Sequence, residues 1–221
     1  MIGPNKIGVF DSGVGGQAVA KRLEELLPDA EIICVNDHEH VPYGSRTAAD
    51  IILLTDAAIQ PLIAAACDAI VIACNTATTV AITHLRATYP KMHFVGIEPM
   101  VKTAAGRTTS GTIAVLATPA TLASASYDAL KTTWAKDVRV IEPDTASWAA
   151  LIEEGKSDAV KIEDMVLRLI DQKADVIVLA CTHYHWLNDR AEIAAGERAI
   201  ILEPSDAIGN RIRILLGSTV T

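Results

Sequence analysis

Two of the four cysteines stand where a thiol can do acid–base work. Asp68-Ala-Ile-Val-Ile-Ala-Cys74 and Asp175-Val-Ile-Val-Leu-Ala-Cys181 are near copies, each a run of apolar residues ending in cysteine. A thiol ionises near pH 8.5, so modest stabilisation of the thiolate provides a base at neutral pH. Two such groups on opposite faces of a stereocentre can invert it, one removing a proton and the other returning it from the far side. Each cysteine also precedes an expected helix, whose positive N-terminal end would favour a thiolate. A buried strand-end cysteine can equally be a small packing hydrophobe. The duplication, together with the flanking Asn75-Thr76 and Thr182-His183, favours chemistry; Cys34 and Cys67 lack such neighbours and read as structural.

A second candidate is Asp11-Ser12-Gly13-Val14-Gly15-Gly16, which follows the first expected strand. Small residues there let backbone N–H groups and a helix N-terminus approach an anion, and Asp11 and Ser12 stand at its mouth. The spacing is not G-x-G-x-x-G, which counts against a dinucleotide site even with Asp37 near the end of the second strand. A tight strand-to-helix turn accounts for the glycines as well.

The elements that must position these groups read as α/β throughout, short β-branched runs alternating with Ala/Leu-rich helical stretches. Strands are expected at 6–10, 31–35, 69–73 and 93–97, then at 112–117, 138–142, 176–180 and 199–203. Helical periodicity marks 17–27, where Leu23, Leu26 and Leu27 share a face, and 158–172. The stretch 46–66 also reads as helix, broken or kinked at Pro61. The halves repeat: the separations Cys74 to Cys181, Pro99 to Pro204 and Ile7 to Ile113 all lie within 105–107 residues. Two pseudo-symmetric lobes follow, each a mostly parallel four-stranded sheet flanked by helices. One comprises 1–98, completed by 205–221, and the other 99–204. Ligands of such sheets bind beyond the carboxyl ends of the strands, so the expected active site is a cleft between the lobes, approached by one thiol from each side.

A net charge of −8 and the absence of a dense Lys/Arg run argue against nucleic acid as a partner. The first ten residues carry no secretory signal pattern and no apolar run reaches membrane-spanning length, so a cytoplasmic protein is expected, with no membrane partner. In a reducing compartment four cysteines without a CxxC pair do not suggest a disulfide framework.

DSGVGG at 11–16, VPYG at 41–44, ACNTA at 73–77, IEP at 97–99 and CTHY at 181–184 together resemble glutamate racemases of the aspartate/glutamate racemase superfamily, in order and across nearly the whole chain. The resemblance implies a cofactor-independent isomerase that interconverts L- and D-glutamate and supplies D-glutamate for peptidoglycan; the CTHY form favours glutamate over aspartate. It implies that Cys74 removes the α-proton of the D-isomer and Cys181 that of the L-isomer, with Asp11 and His183 assisting. It assigns a supporting carboxylate to Glu153, with Glu154 as competitor; two glutamates on a helix are also an ordinary solvated face. The loop Pro42-Tyr43-Gly44 with Asn75, Thr76, Thr118, Thr121, Thr182 and His183 would hold the substrate, its carboxylates met by amide and hydroxyl donors and its amino end by Ser12. Each of these is also an ordinary turn or cap residue type. A homodimer is an open expectation.

The sequence departs from the pattern at several points: His185 and Trp186 replace the usual Pro and Leu, Ala180 replaces Gly, and His40 stands where an arginine precedes VPYG. It also stops at Thr221, short of the usual C-terminal hairpin and helix, so altered stability or dimerisation is expected. Three rivals remain at this level. One is an aspartate or related amino-acid racemase. A second is a metal enzyme using His38, His40, His183, His185, Cys181 and Asp37. The third is a degenerate homologue that binds its ligand without turnover.

Overall fold

The computed structural model describes residues 5–217. Contacts divide the chain into two compact units, one drawn from Met1–Ile97 and Ser205–Thr221, the other Glu98–Pro204.

The first unit contains β1 (Lys6–Asp11), α1 (Gly15–Leu26), β2 (Glu31–Asn36), α2 (Ala48–Ala58), α3 (Gln60–Ala64), β3 (Ala69–Ile72), α4 (Asn75–Thr88) and β4 (His93–Gly96). The second contains α5 (Val101–Arg107), β5 (Thr112–Leu116), α6 (Pro119–Leu122), α7 (Ala125–Trp134), β6 (Arg139–Ile141), α8 (Trp148–Glu153), α9 (Ile162–Asp171), β7 (Val176–Leu179), α10 (Asn188–Ala195) and β8 (Ile200–Leu202). The chain then returns to the first unit as α11 (Ser205–Leu215). Both sheets are wholly parallel and share one topology, β2-β1-β3-β4 and β6-β5-β7-β8. All eight strands lie within a residue or two of the positions expected from the β-branched runs.

Side-chain alternation explains why each sheet needs helices on both faces. In the first unit Ile7, Val9, Ala69, Val71 and Val95 pack with Val19 and Leu23 of α1 and Ile208 and Ile212 of α11. The intervening Phe10, Ile70, Ile72 and Phe94 pack on the other face with Ile51, Leu62, Ala81 and Leu85 of α2, α3 and α4. The second unit repeats the division. Ile113, Val115, Val176 and Val178 meet Val101, Ala104 and Tyr127, while Ala114, Leu116, Ile177 and Leu179 meet α8, α9 and α10.

Two helices differ from their sequence reading. The expected 46–66 helix divides at Ile59, and Pro61 sits in the first turn of α3, where its missing N–H has no helical acceptor to lose. The 158–172 helix begins only at Ile162, because Ser157–Ala159 form a separate 3-10 turn. Its buried face, Ile162, Met165, Val166 and Leu169, keeps the expected helical spacing.

The repeated aspartates brace the start of each third strand. Asp68 Oδ2 accepts from the Lys6 amide at 2.8 Å. Asp175 accepts from the amides of Thr109 and Ser110 and from the Thr109 hydroxyl, each at 2.7 Å, and from the Thr108 hydroxyl. Burial opposes ionisation of Asp175, but these donors outweigh it and hold its carboxyl well below the ordinary carboxylate range. A depressed folded-state pKa stabilises the protein above the unfolded value near 4 and loses that contribution as pH falls. Asp175→Asn should therefore cost about 1–3 kcal/mol at neutral pH. Urea unfolding should show the gap from wild type narrowing below about pH 4; a pH-independent gap would contradict the assignment.

Candidate active site

Parallel strands deliver their side chains and following loops to the carboxyl edge of the sheet, and in each unit the candidate residues gather there. In the first unit Cys74 follows β3 and caps α4, its sulfur accepting from the Ala77 amide at 3.4 Å. The Ser12 hydroxyl donates to the same sulfur at 3.1 Å. Both contacts present hydrogen to sulfur, an arrangement that suits a thiolate as well as a thiol. Asp11, fully buried at the end of β1, accepts from the Gly13 amide at 3.0 Å through Oδ2. Gly16 makes room for it: a Cβ there would lie 2.4 Å from Asp11 Cβ and 2.8 Å from Asn36 Oδ1. The glycine is thus more than a turn former; it lets α1 start against the acid.

Asn75 opens α4, is 3% exposed, and has neither its amide nitrogen nor its amide oxygen hydrogen-bonded among the described residues. A buried amide left in this state costs about 1–3 kcal/mol, a cost that a bound polar ligand would relieve. Thr76 beside it is buried as well. The loop after β2 is organised by Asp37, which accepts from the Tyr43 hydroxyl at 2.8 Å and meets His40 Nδ1 at 2.8 Å. Tyr43 is buried against Phe10, and burial with the Asp37 contact pushes its phenol far above its ordinary pKa. With its hydroxyl donated to Asp37, Tyr43 has no side-chain donor left for a ligand. Sequence reasoning weighed Asp37 only for nucleotide or metal binding; the recurrence of Asp, His and Tyr three residues apart was the available signal for this anchor.

In the second unit Cys181 follows β7, and His183 Nδ1 lies 3.6 Å from its sulfur. His183 Nε2 is hydrogen-bonded to Glu153 Oε1 at the end of α8. A carboxylate on Nε2 calls for hydrogen there and leaves Nδ1 of the neutral ring to accept from the thiol, so Cys181, His183 and Glu153 form a hydrogen-bonded chain along which a proton can pass. Glu154 points elsewhere, paired with Lys156 at 2.7 Å on the surface. The geometry thus separates the two glutamates that sequence left in competition. Tyr184 steadies the arrangement, its hydroxyl donating to Thr145 O at 3.2 Å and its ring meeting Trp148 edge-on at 5.4 Å between centroids.

The helix expected directly after Cys181 is corrected. Residues Thr182–Leu187 form a 3-10 segment, α10 begins only at Asn188, and the cysteine sulfur takes no capping bond from the backbone. Bulky Tyr184 and Leu187, both buried, wind this segment tightly into the core. Thr182 is buried at its start, and His185 Nδ1 lies 3.6 Å from Glu203 while Trp186 is exposed. Thr118 and Thr121 serve the start of α6: Thr118 Oγ1 accepts from the Thr121 amide at 3.3 Å, and their hydroxyls lie 3.0 Å apart. Among the described residues no three His, Cys, Asp or Glu side chains gather as a metal-ligand cluster, and the pairs His38/His40 and His183/His185 fall in different units.

Residues 7–207 match the family described as Asp/Glu/hydantoin racemase. The chain belongs to that family. Among racemases of this family it is 40% identical over 210 residues to the glutamate racemase of Roseiflexus sp. (strain RS-1), covering 93% of this chain and 77% of that protein. The glutamate racemase of Ectopseudomonas mendocina is 38% identical over 219 residues, with 96% and 82% covered. The solved structure of the Escherichia coli glutamate racemase, in complex with L-glutamate and the activator UDP-MurNAc-Ala, superposes with a TM-score of 0.84 at 28% identity, covering 98% of this chain and 84% of that one.

On this Asp/Glu/hydantoin racemase scaffold, Glu153→Gln removes the charge that orients His183 and should slow alkylation of Cys181 by iodoacetamide about tenfold. Glu154→Gln should leave the rate unchanged. Peptide mass spectrometry on timed samples reads both, and equal rates in the two variants would disprove the relay.

Proposed function

We propose that this chain is a glutamate racemase, an isomerase that inverts the α-carbon of glutamate with Cys74 and Cys181 as its two acid/base groups and needs no pyridoxal phosphate, metal or nucleotide. The observation that carries the reading is that each duplicated thiol has its own proton-handling environment: Ser12 and the α4 N-terminus at Cys74, the His183–Glu153 pair at Cys181. Family membership and the glutamate racemases among its relatives support the choice of substrate.

Inversion requires the two thiols to address opposite faces of the substrate. With D-glutamate, Cys74 as thiolate takes the α-proton and the Cys181 thiol supplies one to the other face; L-glutamate reverses the roles. Asp11 assists on the Cys74 side, and His183, held by Glu153, restores the proton inventory of Cys181. Negative charge developing on the α-carboxylate is met by hydrogen-bond donors. The unpartnered Asn75 amide, Thr76, the backbone of Tyr43 and Gly44, and Thr182 are suited to that, with Thr118 and Thr121 for the distal carboxylate and Ser12 for the amino end. In this reading the product D-glutamate serves peptidoglycan, the enzyme works in the cytoplasm, and it assembles as a homodimer. Among the described residues no helix is long and apolar enough to cross a membrane.

Exhaustively dialysed protein should interconvert L- and D-glutamate by chiral chromatography, resist chelators and lose activity to a thiol alkylator. Its kcat/KM for aspartate should fall by about tenfold or more, since one methylene is worth about 1–3 kcal/mol in a pocket. Activity restored only by a metal would overturn the cofactor-independent reading, equal efficiency on aspartate the substrate choice, and absence of turnover the reading as an enzyme.

Cys74→Ser and Cys181→Ser should each abolish racemisation, because a hydroxyl is a far poorer base near neutrality. The loss should appear in kcat, with KM little changed. Cys181→Ser should keep Cys74-dependent elimination from a D-configured analogue carrying a leaving group, and Cys74→Ser should show the mirror preference. Racemisation near the wild-type rate in either variant would exclude the two-thiol mechanism.

A further inference from the structure

A cavity of about 450 Å³ opens in the first unit along the outer edge of β4, apart from the residues discussed above. Its floor is His93, Phe94, Val95 and Gly96, and its walls are Arg86 from the last turn of α4 and Arg211 and Leu215 from α11, with Pro90 and Met92 closing one end. The volume lies within the range of small-molecule sites.

The charge of this region runs against that of the chain. The net charge is −8, yet Asn75 to Gly96 contains no aspartate or glutamate and does contain Arg86, Lys91, His84 and His93. Between Ser205 and Leu215 the one acid is Asp206, which is ion-paired with Arg22 at 2.9 Å. No carboxylate lines the cavity, and no ion pair engages Arg86 or Arg211 among the described residues. Arg86 is also held in place, its Nη2 donating to Phe94 O at 3.1 Å on the strand's open edge. A guanidinium already ordered loses less freedom on binding an oxyanion, and its remaining N–H groups suit a planar or tetrahedral anion. Met92 and Leu215, both partly exposed, offer apolar surface beside the charges.

We infer that this groove is a binding site for a small organic oxyanion, a phosphate ester or carboxylate on a compact apolar body, with Arg86 and Arg211 holding the headgroup. Phenyl phosphate and benzoate are the probes, with benzyl alcohol as the uncharged control, each titrated into isotopically labelled protein and followed by amide NMR. At least one anion should saturate, with shifts centred on 86–96 and 211–215; the tighter of the two identifies the headgroup. Arg211→Gln, at an exposed helix position, should weaken that binding about tenfold, the loss expected for one charge-assisted contact. Arg86→Gln should weaken it at least as much. Turnover of Arg211→Gln should match wild type, so failure of the groove and failure of the racemase reading are read separately. Saturation by neither anion, equal binding of benzyl alcohol, or unchanged affinity in Arg211→Gln would overturn the inference.

Discussion

The third strand of each sheet is buried on both faces and bonded along both edges, and the candidate chemistry hangs from its carboxyl end. Val71 and Ile72, like Val178 and Leu179, are fully buried between helical layers and lie between two parallel neighbours. A residue emerging from such a strand has little backbone freedom, so the thiol that follows it is placed by packing and not by a flexible loop. Asp68 and Asp175 brace the other end of the same strands by binding the amides of neighbouring segments. Register, strand order and thiol position therefore form one constraint, present twice.

On that duplicated frame the two thiols are served differently. After Cys74 the chain continues Asn-Thr-Ala-Thr-Thr-Val and winds directly into an α-helix, so an amide and the Ser12 hydroxyl reach the sulfur. After Cys181 it continues Thr-His-Tyr-His-Trp-Leu, whose buried aromatic and aliphatic side chains draw a 3-10 segment into the core. The backbone amides are lost to that sulfur, and His183 with Glu153 takes their place. One sulfur thus meets a fixed set of donors and the other a histidine held by a carboxylate.

Charge is distributed with similar economy. Acids near the site are satisfied locally, buried Asp11 by the Gly13 amide and half-buried Asp37 by Tyr43 and His40. No acid lies on α4 or β4, and the one on α11, Asp206, is paired with Arg22 on a chain whose net charge is −8. Net charge therefore says little about which anions such a surface can hold.

The α/β class, all eight strands, the internal repeat and the matching strand-end positions of Cys74 and Cys181 were legible in the sequence, because strand burial writes itself as continuous β-branched runs and duplication repeats them at constant spacing. Pro61 likewise announced a break by removing a backbone donor. What local pattern could not carry were choices made by contacts between residues distant in sequence. Glu153 and Glu154 are chemically identical neighbours; in the folded chain the first, ending α8, meets His183 and the second pairs with Lys156. The helix expected after Cys181 became a 3-10 segment for the same reason, since burying Tyr184 and Leu187 outweighed the preference for a regular helix. Asp37 gained its role as the anchor of Tyr43 only when the loop folded back on Phe10. Periodicity and composition report which surfaces must be buried, whereas the partner of a particular polar atom is decided by tertiary packing, where the cost of leaving that atom unpaired is charged.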